Sequence, residues 1–202
     1  MSKRTDIIFS IVVIALMLPA VFPACSGDKP LRIIDRETWG SQPVIDAGQE
    51  QQIKYITIHH GGVTVASDTN PELYLRNLQN WSRTEKGWSD IPYHYLIDFE
   101  GRVYEGRPAL FPGDTNTDYD TRGHLLICVI GNYEEQEFFP VQYDALVNLL
   151  CHFCSLYNVD PHLIKGHKDY TETACPGKNL YQYLESGRLI EDVEKKLPHL
   201  QE

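Results

Sequence analysis

The 202-residue sequence has no basic patch or stripe. Its 18 Lys and Arg are scattered among 28 Asp and Glu, for a formal net charge of -10 at pH 7. A nucleic-acid-binding surface usually concentrates positive charge on one face, so that class is excluded. The acidity also argues against long-range steering toward an anionic polymer. Any grip on such a polymer must come from local contacts in a groove. The apolar region Ile7 to Leu18, about a dozen residues, is shorter than the roughly 20 that cross a bilayer as a helix. There is no internal repeat and no low-complexity tract. Cys151-x-x-Cys154 has no second CxxC, which excludes a paired-motif structural zinc site. It also lies in a helical pattern, without the strand-to-helix context of a thioredoxin-type redox pair. What remains is a globular composition, 42% hydrophobic and 11% aromatic, long enough for one domain with a sizeable core.

The first 25 residues read as an export signal and not as part of the fold. Lys3 and Arg4 form a short basic region, Ile7 to Leu18 an apolar one, and Pro19 to Cys25 a processing region. Cys25 directly after Ala24 resembles a bacterial lipoprotein cleavage box. Phe22 and Pro23 depart from that box's aliphatic-plus-small pattern, and the alternative is an ordinary signal peptide cut near Ala24. Either reading exports the protein. A lipid on Cys25 would tether it to the outer face of a membrane, as a cell-envelope protein of periplasm or outer membrane. Residues 26–31 read as a linker and 32–202 as the domain, with a monomer as the default state.

From Ile33 onward, strand-like and helix-like segments alternate. Tyr55 to His60 is β-branched and aromatic, hence a strand. Asn70-Pro71 is a helix start, with the helix running to about Arg83. Tyr93 to Asp98 and Arg102 to Glu105 flank the turn Phe99-Glu100-Gly101 and predict a hairpin. Leu125 to Ile130 is a near-continuous apolar run, expected as a central strand covered on both faces. Val141 to Asn158 carries apolar residues at 146, 149, 150, 153 and 157, a helical stripe. Leu163 to His167 predicts a short strand. Tyr181 to Leu184 and Arg188 to Leu197 predict helices separated at Ser186-Gly187. The pattern is α/β, a single domain with a central mixed β-sheet flanked by helices. Cys128 is expected in the core. Cys151 and Cys154 are either a disulfide or two small core-facing residues of one helix.

Unusual polar residues gather at two strand ends. Neighbouring strand residues point to opposite faces, so one of His59 and His60 can face a given site, and spacing does not decide which. The second group runs from His167 to Gly177. There a His and a Cys stand eight positions apart in a loop with Pro176-Gly177 after the Cys. Imidazole and thiolate are zinc ligands, and catalytic zinc sites use three protein ligands with one position left for water. One His of the first strand with His167 and Cys175 fits that count. The alternative is two core or loop histidines and a buried Cys.

These residues belong to a wider set of ordered motifs. They are Arg36-Glu37-Thr38-Trp39-Gly40, Ile56-Thr57-Ile58-His59-His60, Gly87-Trp88-Ser89-Asp90-Ile91-Pro92-Tyr93, Gly101-Arg102-Val103-Tyr104-Glu105-Gly106, Ile130-Gly131-Asn132-Tyr133 and Thr173-Ala174-Cys175-Pro176-Gly177. Between about Ile33 and Leu180 the chain resembles the peptidoglycan recognition protein family, within the wider N-acetylmuramoyl-L-alanine amidases that include the phage lysozyme-type enzymes. The resemblance implies one zinc ion held by His59, His167 and Cys175, and places His60 on the opposite face. It gives Tyr93 a catalytic role and Thr173 a site role taken by a lysine in the phage enzymes. It implies an enzyme that hydrolyses the amide bond between N-acetylmuramic acid and L-alanine in peptidoglycan or muropeptides, and the export signal makes it an exported bacterial member.

Two departures from the family stand out. Gly113 is followed by Asp114-Thr115, where relatives often have a His, and the central strand opens His124-Leu125-Leu126 in place of Ser-Ile-Gly. His124 reads as a groove residue or as an ordinary surface histidine at a strand start. Two rival functions stand beside the zinc amidase. One is a non-catalytic peptidoglycan-binding module, whose members typically lack the Cys ligand. The other is a cysteine hydrolase with Cys175 as nucleophile and His167 as base, which leaves His59 unexplained.

Overall fold

A computed structural model of the chain describes residues 31–45 and 48–197. The expected signal segment, the lipidation site Cys25 and all but the last residue of the expected linker lie outside the described residues. So do residues 198–202 at the far end of the domain.

Among the described residues, six strands form one sheet: β1 (Ile33–Ile34), β2 (Tyr55–His60), β3 (Tyr95–Ile97), β4 (Val103–Glu105), β5 (His124–Val129) and β6 (Ile164–Gly166). Their order is β1-β4-β3-β5-β2-β6, and every pairing is parallel except the β3–β4 hairpin. The sheet is therefore mixed, as the sequence predicts. Asp98 shapes the hairpin turn, its Oδ1 accepting the backbone N–H of Glu100 at 3.0 Å and of Arg102 at 2.8 Å.

Among the described residues, four α-helices cover the sheet: α1 (Pro71–Thr84), α2 (Pro140–Tyr157), α3 (Lys178–Glu185) and α4 (Arg188–Lys196). Asn70 caps α1 by accepting the Leu73 N–H at 2.8 Å, with Pro71 at the first helical position. Asn158 ends α2 in the left-handed conformation. The apolar stripe of α2 packs on one face of the sheet together with α4, against Ile56, Ile58, Leu125 and Ile127. Leu75 of α1 covers the other face with Leu96, Cys128 and Ile130. Every residue of β5 is buried because it lies between β3 and β2 with helices on both sides.

The Arg36 to Gly40 motif has a structural task here. The indole of Trp39 is fully buried and donates to the Glu105 carbonyl at 2.7 Å. Arg36 pairs with buried Asp90 at 2.8 Å, which ties the segment after β1 to the loop that leads into Tyr93. Cys128 and Cys154 are buried free thiols. Because Cys154 is free, no bridge joins it to Cys151, and both side chains are buried in the core.

Candidate metal centre

Strand alternation divides β2. Ile56 and Ile58 enter the core beneath α2, while Thr57 and His59 face the opposite side. His60 turns away from His59, and its Nδ1 accepts the backbone N–H of Tyr133 at 3.1 Å. Of the two adjacent histidines, it is His59 whose ring lies with His167 and Cys175.

β6, paired with β2, ends at Gly166, and His167 opens a short helical turn, His167–Asp169. Asp169 pins that turn by accepting the Gly166 N–H at 2.7 Å and the Tyr181 hydroxyl at 2.6 Å. The chain then returns on itself, with Lys168 N–H donating to the Cys175 carbonyl at 3.0 Å. Gly177 allows the exit. Its φ is +86°, and a Cβ there would stand 2.3 Å from the Tyr133 carbonyl carbon, which no side chain tolerates. The loop delivers the Cys175 thiol to the end of β2, where its Sγ accepts the His60 backbone N–H at 3.3 Å.

His59, His167 and Cys175 are all buried, and one ligand atom from each lies within 4.8 Å of the others. Sγ of Cys175 is 3.6 Å from Nδ1 of His59. Tetrahedral zinc with bonds of about 2.0–2.3 Å separates its ligands by roughly 3.4–3.8 Å, so this spacing fits. The second sign is an orphan: Nδ1 of His167 is buried and has no hydrogen-bond partner. A buried polar atom left unpaired is costly, and a cation between the three groups would satisfy it. The donor set itself, two imidazoles and a thiol, is the mixture zinc prefers.

The protonation of the two imidazoles favours the same use. Burial holds His59 well below the ordinary imidazole value, reinforced by the neighbouring His167. Burial also pushes His167 down to about 4. Both rings are therefore neutral near pH 7, the form that ligates metals. Burial pushes the Cys175 thiol up to about 12, partly offset by the hydrogen bond from His60.

Tyr93 stands just before β3. Its ring lies 5.3 Å from that of His59 and its hydroxyl donates to the His60 carbonyl at 3.4 Å. Burial raises its pKa well above the usual phenol value, so it stays a donor. Thr173 lines the same cleft of about 250 Å³. Its Oγ1 accepts the Cys175 backbone N–H at 3.2 Å, the loop-capping contact. Trp81 and Trp88 form another wall of this cleft, edge to face at 6.0 Å. A larger groove of about 870 Å³ between β1, β4 and α2 is lined by neither His nor Cys among the described residues.

The structure corrects the reading of His124. It is neither a surface residue nor a groove residue but is buried, 6% exposed, with Nδ1 2.8 Å from Thr57 Oγ1. The rings of Tyr55, Tyr119 and Tyr170 surround it. The loop preceding β5 folds over the strand start, which is what removes His124 from solvent. That loop also supplies contacts the motifs do not show: Thr117 Oγ1 lies 2.7 Å from His167 Nε2 and the Tyr119 hydroxyl 3.3 Å from His59 Nε2. The signal in the sequence is the spacing of hydroxyl residues at every second position from Thr115 to Thr121.

Residues 49–178 match the family model described as N-acetylmuramoyl-L-alanine amidase. The chain belongs to that family. Peptidoglycan-recognition protein SD of Drosophila simulans is 32% identical over 170 residues, covering 80% of this chain and 88% of that protein. Peptidoglycan recognition protein 1 of Rattus norvegicus is 30% identical over 172 residues, covering 83% and 94% respectively. Among solved structures, a variant of Drosophila PGRP-LB in complex with tracheal cytotoxin superposes with a TM-score of 0.66 at 25% identity, covering 77% of this chain and 94% of that one. The amidase-family match spans β2 through the start of α3, so all three candidate ligands, Tyr93 and Thr173 lie within it.

Proposed function

We propose that this amidase-family protein is a zinc-dependent N-acetylmuramoyl-L-alanine amidase acting on peptidoglycan or muropeptides. The observation that carries the reading is the convergence of His59, His167 and Cys175 on one point, with Nδ1 of His167 buried and unpaired. When bound, zinc supplies a water acidic enough to react near neutral pH and a Lewis-acid contact for the scissile carbonyl.

The chain's own residues supply the rest. The neutral Tyr93 hydroxyl sits beside His59 and donates toward the carbonyl oxygen as negative charge builds there. Thr173 uses its oxygen to hold the Cys175 loop, leaving its O–H free to orient water or the substrate carbonyl. The Trp81 and Trp88 wall excludes water from one side of the cleft and offers apolar surface to the substrate. A muropeptide substrate agrees with the tracheal cytotoxin complex of the related PGRP-LB. We place the enzyme in the cell envelope as a monomer, exported by its first 25 residues and tethered through a lipid on Cys25.

The second reading, a binding module that does not cut, is favoured by the names of several relatives, which are recognition proteins. Metal analysis of the purified protein and mass spectrometry of products from defined muropeptides, with and without chelator, decide between them. Bound zinc and chelator-sensitive release of the stem peptide support the amidase. A zinc-free protein that binds muropeptides without cleaving them overturns it.

A further inference from the structure

Between β4 and β5 the chain reads Asp114-Thr115-Asn116-Thr117-Asp118-Tyr119-Asp120-Thr121. Hydroxyl side chains alternate with acids and one amide, the two-residue period of an extended segment with two unlike sides. The structure preserves that division. Asn116, Asp118 and Asp120 are exposed, while Thr115, Thr117, Tyr119 and Thr121 are half-buried. Both ends of the segment are fastened. Buried Arg107 pairs with Asp114 and donates to the Pro112 carbonyl at 2.6 Å, and Thr121 donates to the Gly113 carbonyl at 2.7 Å.

The inward row meets both candidate ligand histidines from the same side. Thr117 Oγ1 is 2.7 Å from Nε2 of His167, and Thr115 Oγ1 backs it at 2.9 Å from Thr117 and 3.4 Å from the same Nε2. The Tyr119 hydroxyl is 3.3 Å from Nε2 of His59. Its ring is stacked on Tyr170 at 5.4 Å and 13°, and meets His124 edge-on at 5.5 Å. A phenol fixed in this way presents its oxygen in one direction.

A neutral imidazole has one N–H donor and one lone-pair acceptor. Both rings divide these in the same manner. Nε2 faces a loop hydroxyl. Nδ1 faces Cys175 in His59 and is buried without a partner in His167. A hydroxyl that accepts from Nε2–H fixes the tautomer whose Nδ1 lone pair is free for a metal.

We propose that Thr117 and Tyr119 are positioning residues of the metal centre, gripping His167 and His59 by Nε2 so that both rings present Nδ1 to the same ion. This rests on the zinc reading above. It assigns to the segment after Gly113, where the chain departs from its family, a task in shaping the site.

The test uses the full chain and zinc ions in competition with a chromophoric chelator, followed by cobalt substitution. T117V and Y119F are each expected to weaken zinc affinity by about 10- to 100-fold and to alter the visible spectrum of the cobalt form. T117S, which restores the hydroxyl, is expected to return both to wild type. Metal-free unfolding midpoints separate this role from a merely structural one. Should T117V lower that midpoint, Y119F decides, because it removes one oxygen and keeps the ring stack. Variants that bind zinc with wild-type affinity and an unchanged cobalt spectrum overturn the proposal while leaving the zinc reading intact. A wild-type chain that takes up no zinc overturns both.

Discussion

The Cys175 sulfur lies 3.3 Å from the backbone nitrogen of His60, so the candidate ligand that comes latest in the chain is fastened to the strand that carries the earliest one. That contact makes the site an arrangement of two parallel neighbours, β2 and β6, with the loop after β6 folded back onto the end of β2. It also places the thiol 3.6 Å from His59 Nδ1 across 116 residues of sequence.

Replacing Cys175 with Ala removes one of three ligands and is expected to abolish stoichiometric zinc binding and amidase turnover together. Zinc content by elemental mass spectrometry checks this. Full zinc occupancy in an inactive Cys175→Ala protein would show that the sulfur is not a ligand and would return the cysteine-hydrolase reading.

Tyr93→Phe deletes the hydroxyl, which donates to the His60 carbonyl, and leaves the ring beside His59. Loss of one preorganised donor to a developing oxyanion typically costs about 10²–10³ in rate. The expected result is a kcat decrease of that order with unchanged zinc content and little change in KM for a defined muropeptide. A wild-type kcat in the variant would remove Tyr93 from the mechanism.

Thr173→Ala leaves the Cys175 backbone N–H without its 3.2 Å acceptor. The expected cost is about 1 kcal/mol in urea unfolding of the metal-free protein, with Thr173→Ser close to wild type. If turnover falls far more in the Ala variant than this loss of loop order explains, the Thr173 hydroxyl also acts on substrate or water.

His94 sets an acid limit on stability. Its Nδ1 accepts the Leu126 N–H at 2.8 Å and its Nε2 lies 2.9 Å from the Phe111 carbonyl, so the fold uses the neutral ring. Burial pushes its pKa down to about 4, from the ordinary value of 6.5. The unfolded chain thus binds the proton more readily. The stability contributed is complete above about pH 6.5 and is lost as pH falls toward 4, on the order of 3 kcal/mol for a shift of this size. Urea midpoints of the metal-free protein between pH 7 and 4 are expected to fall, and His94→Gln is expected to flatten that slope. An equal slope in the variant would assign the acid sensitivity elsewhere.

Much of the fold was legible because its signals are local. A cap such as Asn70 before Pro71, a hairpin turn at Phe99-Glu100-Gly101, and an apolar stripe along α2 all depend on residues a few positions apart. Boundaries moved by small amounts. The expected strand from Tyr93 pairs only over Tyr95–Ile97, and the expected strand to His167 ends at Gly166, because His167 already belongs to the turn that aims it. Local chemistry also singled out His167 with Cys175, since eight residues of loop suffice to bring them together.

The sequence by itself determined the alternation of strands and helices, the loop that pairs His167 with Cys175, and the requirement that His59 and His60 point to opposite faces of the strand. Only the tertiary structure decided how the loop before β5 lies over the sheet. That placement buries His124 beneath Tyr119 and Tyr170, and sets Thr117 and Tyr119 against the two imidazoles. It also left Cys154 free in the core. The contacts of Thr117 and Tyr119 with the imidazoles join residues 50 and 60 positions apart. They arise because β2 lies between β5 and the edge strand β6, a neighbourhood set by packing over the whole domain.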